Sequence, residues 1–156
     1  MNKMFQILVV GTMVALGSGA AVAANSIVGT WTLNLDKSKF VPGPAPKSQT
    51  RTYAETADGV ALTLTGVAAD GSPVSGQSTF KYDGKDYPMT GSPDFDTLSL
   101  KRINGSTVKS LQKKDGKVVG STIRTISGHG KVLTLNGKGK AADGKWYHNI
   151  AVYDKQ

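Results

Sequence analysis

A chain of 156 residues with 19 Lys+Arg against 11 Asp+Glu carries a formal charge of +8 and contains no cysteine. The missing cysteine excludes disulfide staples, thiolate metal sites, a cysteine nucleophile and the lipid-accepting thiol of a lipoprotein. The length suits one domain that buries a core without help. The excess charge is scattered one or two lysines per segment, with no basic stripe interleaved with aromatics, so nucleic acid is not an expected partner. Weak contact with an anionic envelope surface is compatible with it.

Residues 1–24 read as a cleavable signal peptide: Lys3, an apolar stretch from Ile7 to Leu16, then small residues ending in Ala21-Val22-Ala23-Ala24. A periplasmic or secreted protein is expected, with a signal-peptide helix preceding a single domain over 25–156. From there the chain alternates between β-rich runs and turn signals. Asp58-Gly59, Asp70-Gly71, Asp83-Gly84, Asn104-Gly105, Asp115-Gly116, Gly128-His129-Gly130 and Asp143-Gly144 all tolerate the positive φ angles of tight hairpins. Strands are predicted at 27–35, 48–56, 59–68, 75–83, 85–89, 96–104, 106–114, 117–127, 131–139 and 145–154. Period-two alternation supports them, as in Leu62/Leu64 against Thr63/Thr65 and Leu98/Leu100 against Ser99/Lys101. In 145–154 it sets Trp146, His148, Ile150 and Val152 against Tyr147, Asn149, Ala151 and Tyr153; Ile150 and Val152 are assigned to the apolar wall, with His148 among them. The proline-bearing stretches 36–47 and 88–96 are expected as loops.

Consecutive strands joined by tight turns form an antiparallel meander, which removes its edges by closing into an up-and-down barrel. The predicted fold is thus all-β, a single lipocalin-like meander barrel. A two-sheet sandwich is the alternative. Gly29-Thr30-Trp31 at the opening of the first strand, together with the meander, resembles the lipocalin and fatty-acid-binding-protein (calycin) superfamily. That resemblance implies that Trp31 plugs the closed end of the barrel while Gly29 lets the chain pass close beside it. It also implies an arginine from a late strand stacked on the tryptophan. The last strand has no arginine, which leaves Arg124 or Arg102 for the role.

A barrel of eight to ten strands is wide enough to hold one small molecule. The expected ligand-binding wall comprises Leu62, Leu64, Phe80, Tyr82, Leu98 and Leu100, continued by Leu133, Leu135, Ile150 and Val152. Arg102, Arg124 and His148 are its polar members, and an inward arginine suits a ligand carboxylate. The expected function is non-catalytic binding of a small hydrophobic or amphiphilic ligand by a monomer, with no cofactor and no metal. The two histidines, His129 and His148, have no metal-ligand spacing, no nucleophile elbow exists, and the turn aspartates are occupied by local backbone. Asp94 and Asp96 stand close together in one loop, where a structural role is favoured over a cation site or an acid/base pair. Three alternatives remain open. An isomerase or cyclase on the same scaffold would use Tyr147, His148, Arg124 or Tyr82. A periplasmic protein–protein module would bind nothing inside. An outer-membrane barrel is disfavoured by the scarcity of aromatics, 7% of the chain.

Overall fold

The computed structural model describes residues 27–156; the expected signal segment 1–24 lies outside the described residues. Eleven strands follow one another: β1 (Gly29–Leu33), β2 (Lys39–Val41), β3 (Ser48–Thr56), β4 (Gly59–Val67), β5 (Pro73–Phe80), β6 (Asp83–Pro88), β7 (Thr97–Arg102), β8 (Thr107–Lys114), β9 (Lys117–Ser127), β10 (Val132–Lys140) and β11 (Trp146–Lys155). Ten coincide with the predicted runs. The extra one, β2, lies in the stretch expected as loop, between Asp36 and Pro42. Three residues are too few for alternation to show. The strand exists because Val41, Phe40 and Lys39 pair with His148, Asn149 and Ile150 of β11.

The turn chemistry works locally. Asp115 and Gly116 both take positive φ, 49° and 76°, the handedness a two-residue hairpin between β8 and β9 requires. Asp83-Gly84 behaves differently from expectation. It sits inside β6, where the pairing with β7 slips between Asp83 and Asp86. The pair therefore makes a bulge rather than the turn, which falls at Lys81–Tyr82.

The sheet order β5-β4-β3-β1-β11-β10-β9-β8-β7-β6 is an antiparallel ring whose first and last members meet. At that seam Gln77 and Thr90 exchange backbone hydrogen bonds of 3.2 and 2.9 Å, and Ser78 Oγ donates to Pro88 O at 2.8 Å. The result is the expected all-β meander, a nearly closed barrel rather than a sandwich.

Residues directly opposite one another in a ladder share a face. Three rows therefore run around the inner wall from β7 to β11. The first is Leu98, Gln112, Gly120, Gly139, Tyr147; the second Leu100, Ser110, Thr122, Gly137, Asn149; the third Arg102, Val108, Arg124, Leu135, Ala151. The largest fully buried side chains are Trp31, Tyr153, Phe80, Ile27 and Leu133. Burying one tryptophan ring removes about 150–250 Å² from water, roughly 4–6 kcal/mol of favourable transfer.

Antiparallel order gathers the β3–β4, β5–β6, β7–β8 and β9–β10 turns at one end, with the start of β1 and the end of β11. Trp31 fills this end: it is fully buried, and its Nε1 donates to Ile27 O at 2.7 Å. The residue stacked on it is neither Arg124 nor Arg102. Lys155, from the last strand, places its ammonium 5.1 Å from the ring centroid. A Cβ at Gly29 would stand 2.7 Å from the end of the Lys155 stem, and the φ of +129° there favours glycine, so the stem passes over bare backbone to the tryptophan.

Candidate functional site: two polar centres inside the barrel

Inward alternation on β9 carries Gly120, Thr122 and Arg124 along one line. Arg124 is only 7% exposed. Its Nη2 donates to Tyr82 Oη at 2.7 Å, and its guanidinium lies 5.2 Å from the Tyr82 ring and 5.9 Å from the Tyr53 ring. Arg102, exposed at the end of β7, lays its guanidinium 4.5 Å from the same Tyr82 ring. Two cations thus share one aromatic ring. Arg51 is nearby in kind: its Nε donates to Tyr153 Oη at 3.1 Å, and Tyr153 Oη donates in turn to Gln49. Burial works against the Arg51 charge, but the Tyr153 and Tyr53 phenols outweigh it and hold the guanidinium charged.

Every ion pair among the described residues uses a lysine: Lys37–Asp154, Lys113–Asp86 and Lys145–Asp143. Among the described residues, then, the guanidiniums are held by phenols and ring faces rather than by carboxylates. A ring face compensates a cation only partly, about 0.5–2 kcal/mol. The centre retains capacity for an anion.

The second centre lies toward the opposite end, where the β4–β5, β6–β7, β8–β9 and β10–β11 connections gather. Gln112, 6% exposed, donates from Nε2 to Ser110 Oγ and Thr122 Oγ1, both at 3.1 Å. Its Oε1 is fully buried and accepts nothing. Beside it the inner wall is floored by Gly120, Gly137 and Gly139. A Cβ at Gly120 would stand 2.9 Å from Tyr147 Oη and 3.1 Å from Gln112 Oε1. Both oxygens therefore lie against the Gly120 backbone, where a side chain would collide with them. Burial pushes the Tyr147 phenol up, and Asp94 adds to the effect, so the hydroxyl keeps its proton and remains a donor.

Of the residues expected to form the wall, Leu62, Leu64, Phe80, Leu98 and Leu100 are buried, Tyr82 is half-buried and Arg124 points inward. His148 corrects the expected facing. It is exposed on the outer surface, with Nε2 2.9 Å from Asn136 Oδ1. Ladder register is the cause. Leu133 and Leu135 of β10 face inward and lie opposite Tyr153 and Ala151, so β11 turns that set to the core and sends Trp146, His148, Ile150 and Val152 outward. Trp146 is accordingly 72% exposed. Tyr147 and His148 stand on opposite faces of β11, so the four residues considered for catalysis do not converge.

Asp94 and Asp96 tie loops together. Asp94 Oδ1 accepts Ala142 N at 2.9 Å. Asp96 accepts Asp115 N and Thr97 Oγ1, in that order of effect, which holds its carboxyl below the usual range. Among the described residues no three His, Asp or Glu side chains gather as a metal site. Outside the barrel, at the seam, Thr63, Thr65, Ser75, Gln77 and Thr90 rim an open hollow of about 160 Å³.

Gln112 was not among the expected site residues, although "TVKSLQKK" carries its signal. Lys109 and Lys113 must face water, which sends Val108, Ser110 and Gln112 inward. Arg51 and Tyr53 follow the same logic in "TRTY".

No protein-family model matches this chain, and no curated protein matches it. Among solved structures it is similar to the zebrafish ileal bile acid-binding protein crystallised with cholic acid, at 13% identity and a TM-score of 0.49. That similarity covers 84% of this chain and 99% of the other. On the strand order and closure described above, the chain is an all-β antiparallel meander that closes into a nearly complete barrel.

Proposed function

We propose that this protein is an exported, non-catalytic carrier that holds a small amphiphilic molecule inside its barrel, with the molecule's anionic group against Arg124. The observation that carries this reading is Arg124 itself, buried and matched by phenols rather than by a carboxylate. A buried guanidinium offers bidentate, charge-assisted hydrogen bonds to a carboxylate or sulfonate, about 1.5–3 kcal/mol each. Leu62, Leu98 and Leu100 supply apolar wall for the remainder of the molecule. Outward positions bearing Thr63, Thr65, Lys101, Lys109 and Lys138 support a barrel that faces water rather than lipid. The signal pattern of residues 1–24 supports export.

The test is a fluorescence titration with anilinonaphthalene sulfonate. The wild-type protein should bind it, and Arg124→Leu should weaken binding by about 10–100-fold, the equivalent of one charged hydrogen bond. Equal affinity in the two proteins would contradict the reading.

A further inference from the structure

Charge is spread unevenly over the outside of the barrel. The outward positions of β1, β3, β4 and β5, with Thr30, Thr32, Thr50, Thr52, Thr63 and Thr65 among them, carry no charged residue. The wall across the barrel is cationic. Ladder register sets Lys109, Ile123, Asn136, Ile150 and Lys39 in one outward row over β8, β9, β10, β11 and β2. The next row toward the loop-rich end is Leu111, Ser121, Lys138, His148 and Val41, and beyond it Lys140 stands opposite Trp146. β2, β8, β9 and β10 contain no carboxylate, and Asp154 of β11 lies near the plugged end, tied to Lys37. Asp143, in the adjoining turn, is matched by Lys145 at 3.2 Å. Lys39, Lys109, Lys138 and Lys140 are exposed and pair with no carboxylate among the described residues. Trp146 projects into this cationic field as the most exposed large apolar side chain of the described residues, with Val41 beside it, also exposed. An indole left in water forfeits the large area that a core position would bury.

We propose that this wall docks the protein peripherally on an anionic phospholipid bilayer, with Trp146 entering the interface and Lys39, Lys109, Lys138 and Lys140 facing the lipid phosphates. The chemistry of the face selects such a surface. An indole joins an apolar body to one N–H donor, which suits the boundary between acyl chains and headgroups. Lysines near an anionic bilayer are attracted to it, and a wall without unmatched carboxylates meets no opposing repulsion. Protein interfaces are depleted of lysine, whereas adsorption to anionic lipid combines lysines with an inserted aromatic. The uncharged threonine wall points away, so the asymmetry of charge orients the approach. The face adjoins the loop-rich end, and docking brings that end of the barrel to the lipid. The inference goes beyond the carrier reading and does not depend on it.

Co-sedimentation with lipid vesicles tests this. The chain is taken from residue 25, because the described residues form the whole barrel and the apolar stretch 7–16 would bind lipid by itself. Vesicles of phosphatidylglycerol and phosphatidylcholine should bind it at least about tenfold better than phosphatidylcholine alone, and raising salt from about 0.1 M to about 1 M should erase the difference. Trp31 is fully buried, so a blue shift of tryptophan emission on the anionic vesicles reports Trp146. Trp146→Ser changes an exposed side chain and leaves the fold intact; it should remove that shift and weaken binding by about fivefold or more. Lys138→Glu combined with Lys140→Glu should weaken binding by at least about tenfold. The same change of charge at Lys81 and Lys85, exposed around the β5–β6 turn, should weaken it by less than about threefold. Equal binding to the two kinds of vesicle, or equal losses from the two lysine pairs, would overturn the proposal. A blue shift that grows with protein concentration in the absence of lipid, alongside a dimer in sedimentation velocity, would overturn it by giving the face to a second copy of the chain.

Discussion

The two ends of the barrel solve the same packing problem in opposite ways. At the plugged end the inner wall is filled by large side chains: Trp31 on Ile27 and Lys155, Tyr153 on Arg51, Arg124 on Tyr82 and Tyr53. At the loop-rich end three of the inner positions on β9 and β10 are glycine, and a buried amide oxygen is left without a partner. A core built only for stability fills such space and pairs such atoms. The contrast separates an end filled by large side chains from an end where Tyr147 and Gln112 lie directly on glycine backbone.

Substitutions should expose that division. Trp31→Ala should be the most damaging, with a loss of about 3–5 kcal/mol read as a fall in the denaturation midpoint. Loss under about 1 kcal/mol would remove Trp31 from its place as the plug. Gly139→Ala pushes a methyl into backbone and should cost about 1–3 kcal/mol, and it should narrow the loop-rich end at the same time. If it leaves both stability and probe affinity unchanged, that end is looser than described. Arg124→Leu, which abolishes the anion centre, should change stability by no more than about 1 kcal/mol, because a well-packed apolar group commonly replaces a buried charge without penalty. Lys155→Met should lose about 0.5–1 kcal/mol from the ring contact, and Lys155→Arg should retain it.

The smallest effect is a pH dependence. Asp154 accepts Asn34 Nδ2 at 2.6 Å and Lys37 Nζ at 3.2 Å, which together hold its carboxyl below the usual range. A group depressed in the folded state contributes its stability in full above the unfolded value, near about 3.9, and loses it as pH falls through the folded value. Asp154→Asn should therefore flatten the acid limb of the stability curve between about pH 5 and about pH 2. An unchanged limb would assign the acid sensitivity to the other depressed aspartates, Asp70, Asp83, Asp96 and Asp143.

Much of the architecture was legible in the chain because turn chemistry and alternation are local signals. The ten predicted strands and most of the hairpins between them follow from Asp-Gly and Asn-Gly placed among β-branched runs, with Asp83-Gly84 the exception that forms a bulge. What alternation cannot state is which face turns inward. In β7 and β4 the leucines decide it. In β11 both faces carry aromatic and aliphatic residues, so the choice falls to the register with β10, and His148 emerged on the outside. The same limit explains Lys155. Its position two residues past Tyr153, among the polar residues that end the chain, gave no sign that its stem crosses Gly29 to reach Trp31. Gln112 was concealed by composition, since a glutamine between lysines resembles surface until the lysines are assigned outward.

Native mass spectrometry of the protein purified from its own source tests the central claim most directly. The account predicts a mass increment from a small acidic molecule on the wild-type chain that is greatly reduced in Arg124→Leu produced in the same way. A bare chain in both preparations, or an increment undiminished by the substitution, would contradict it.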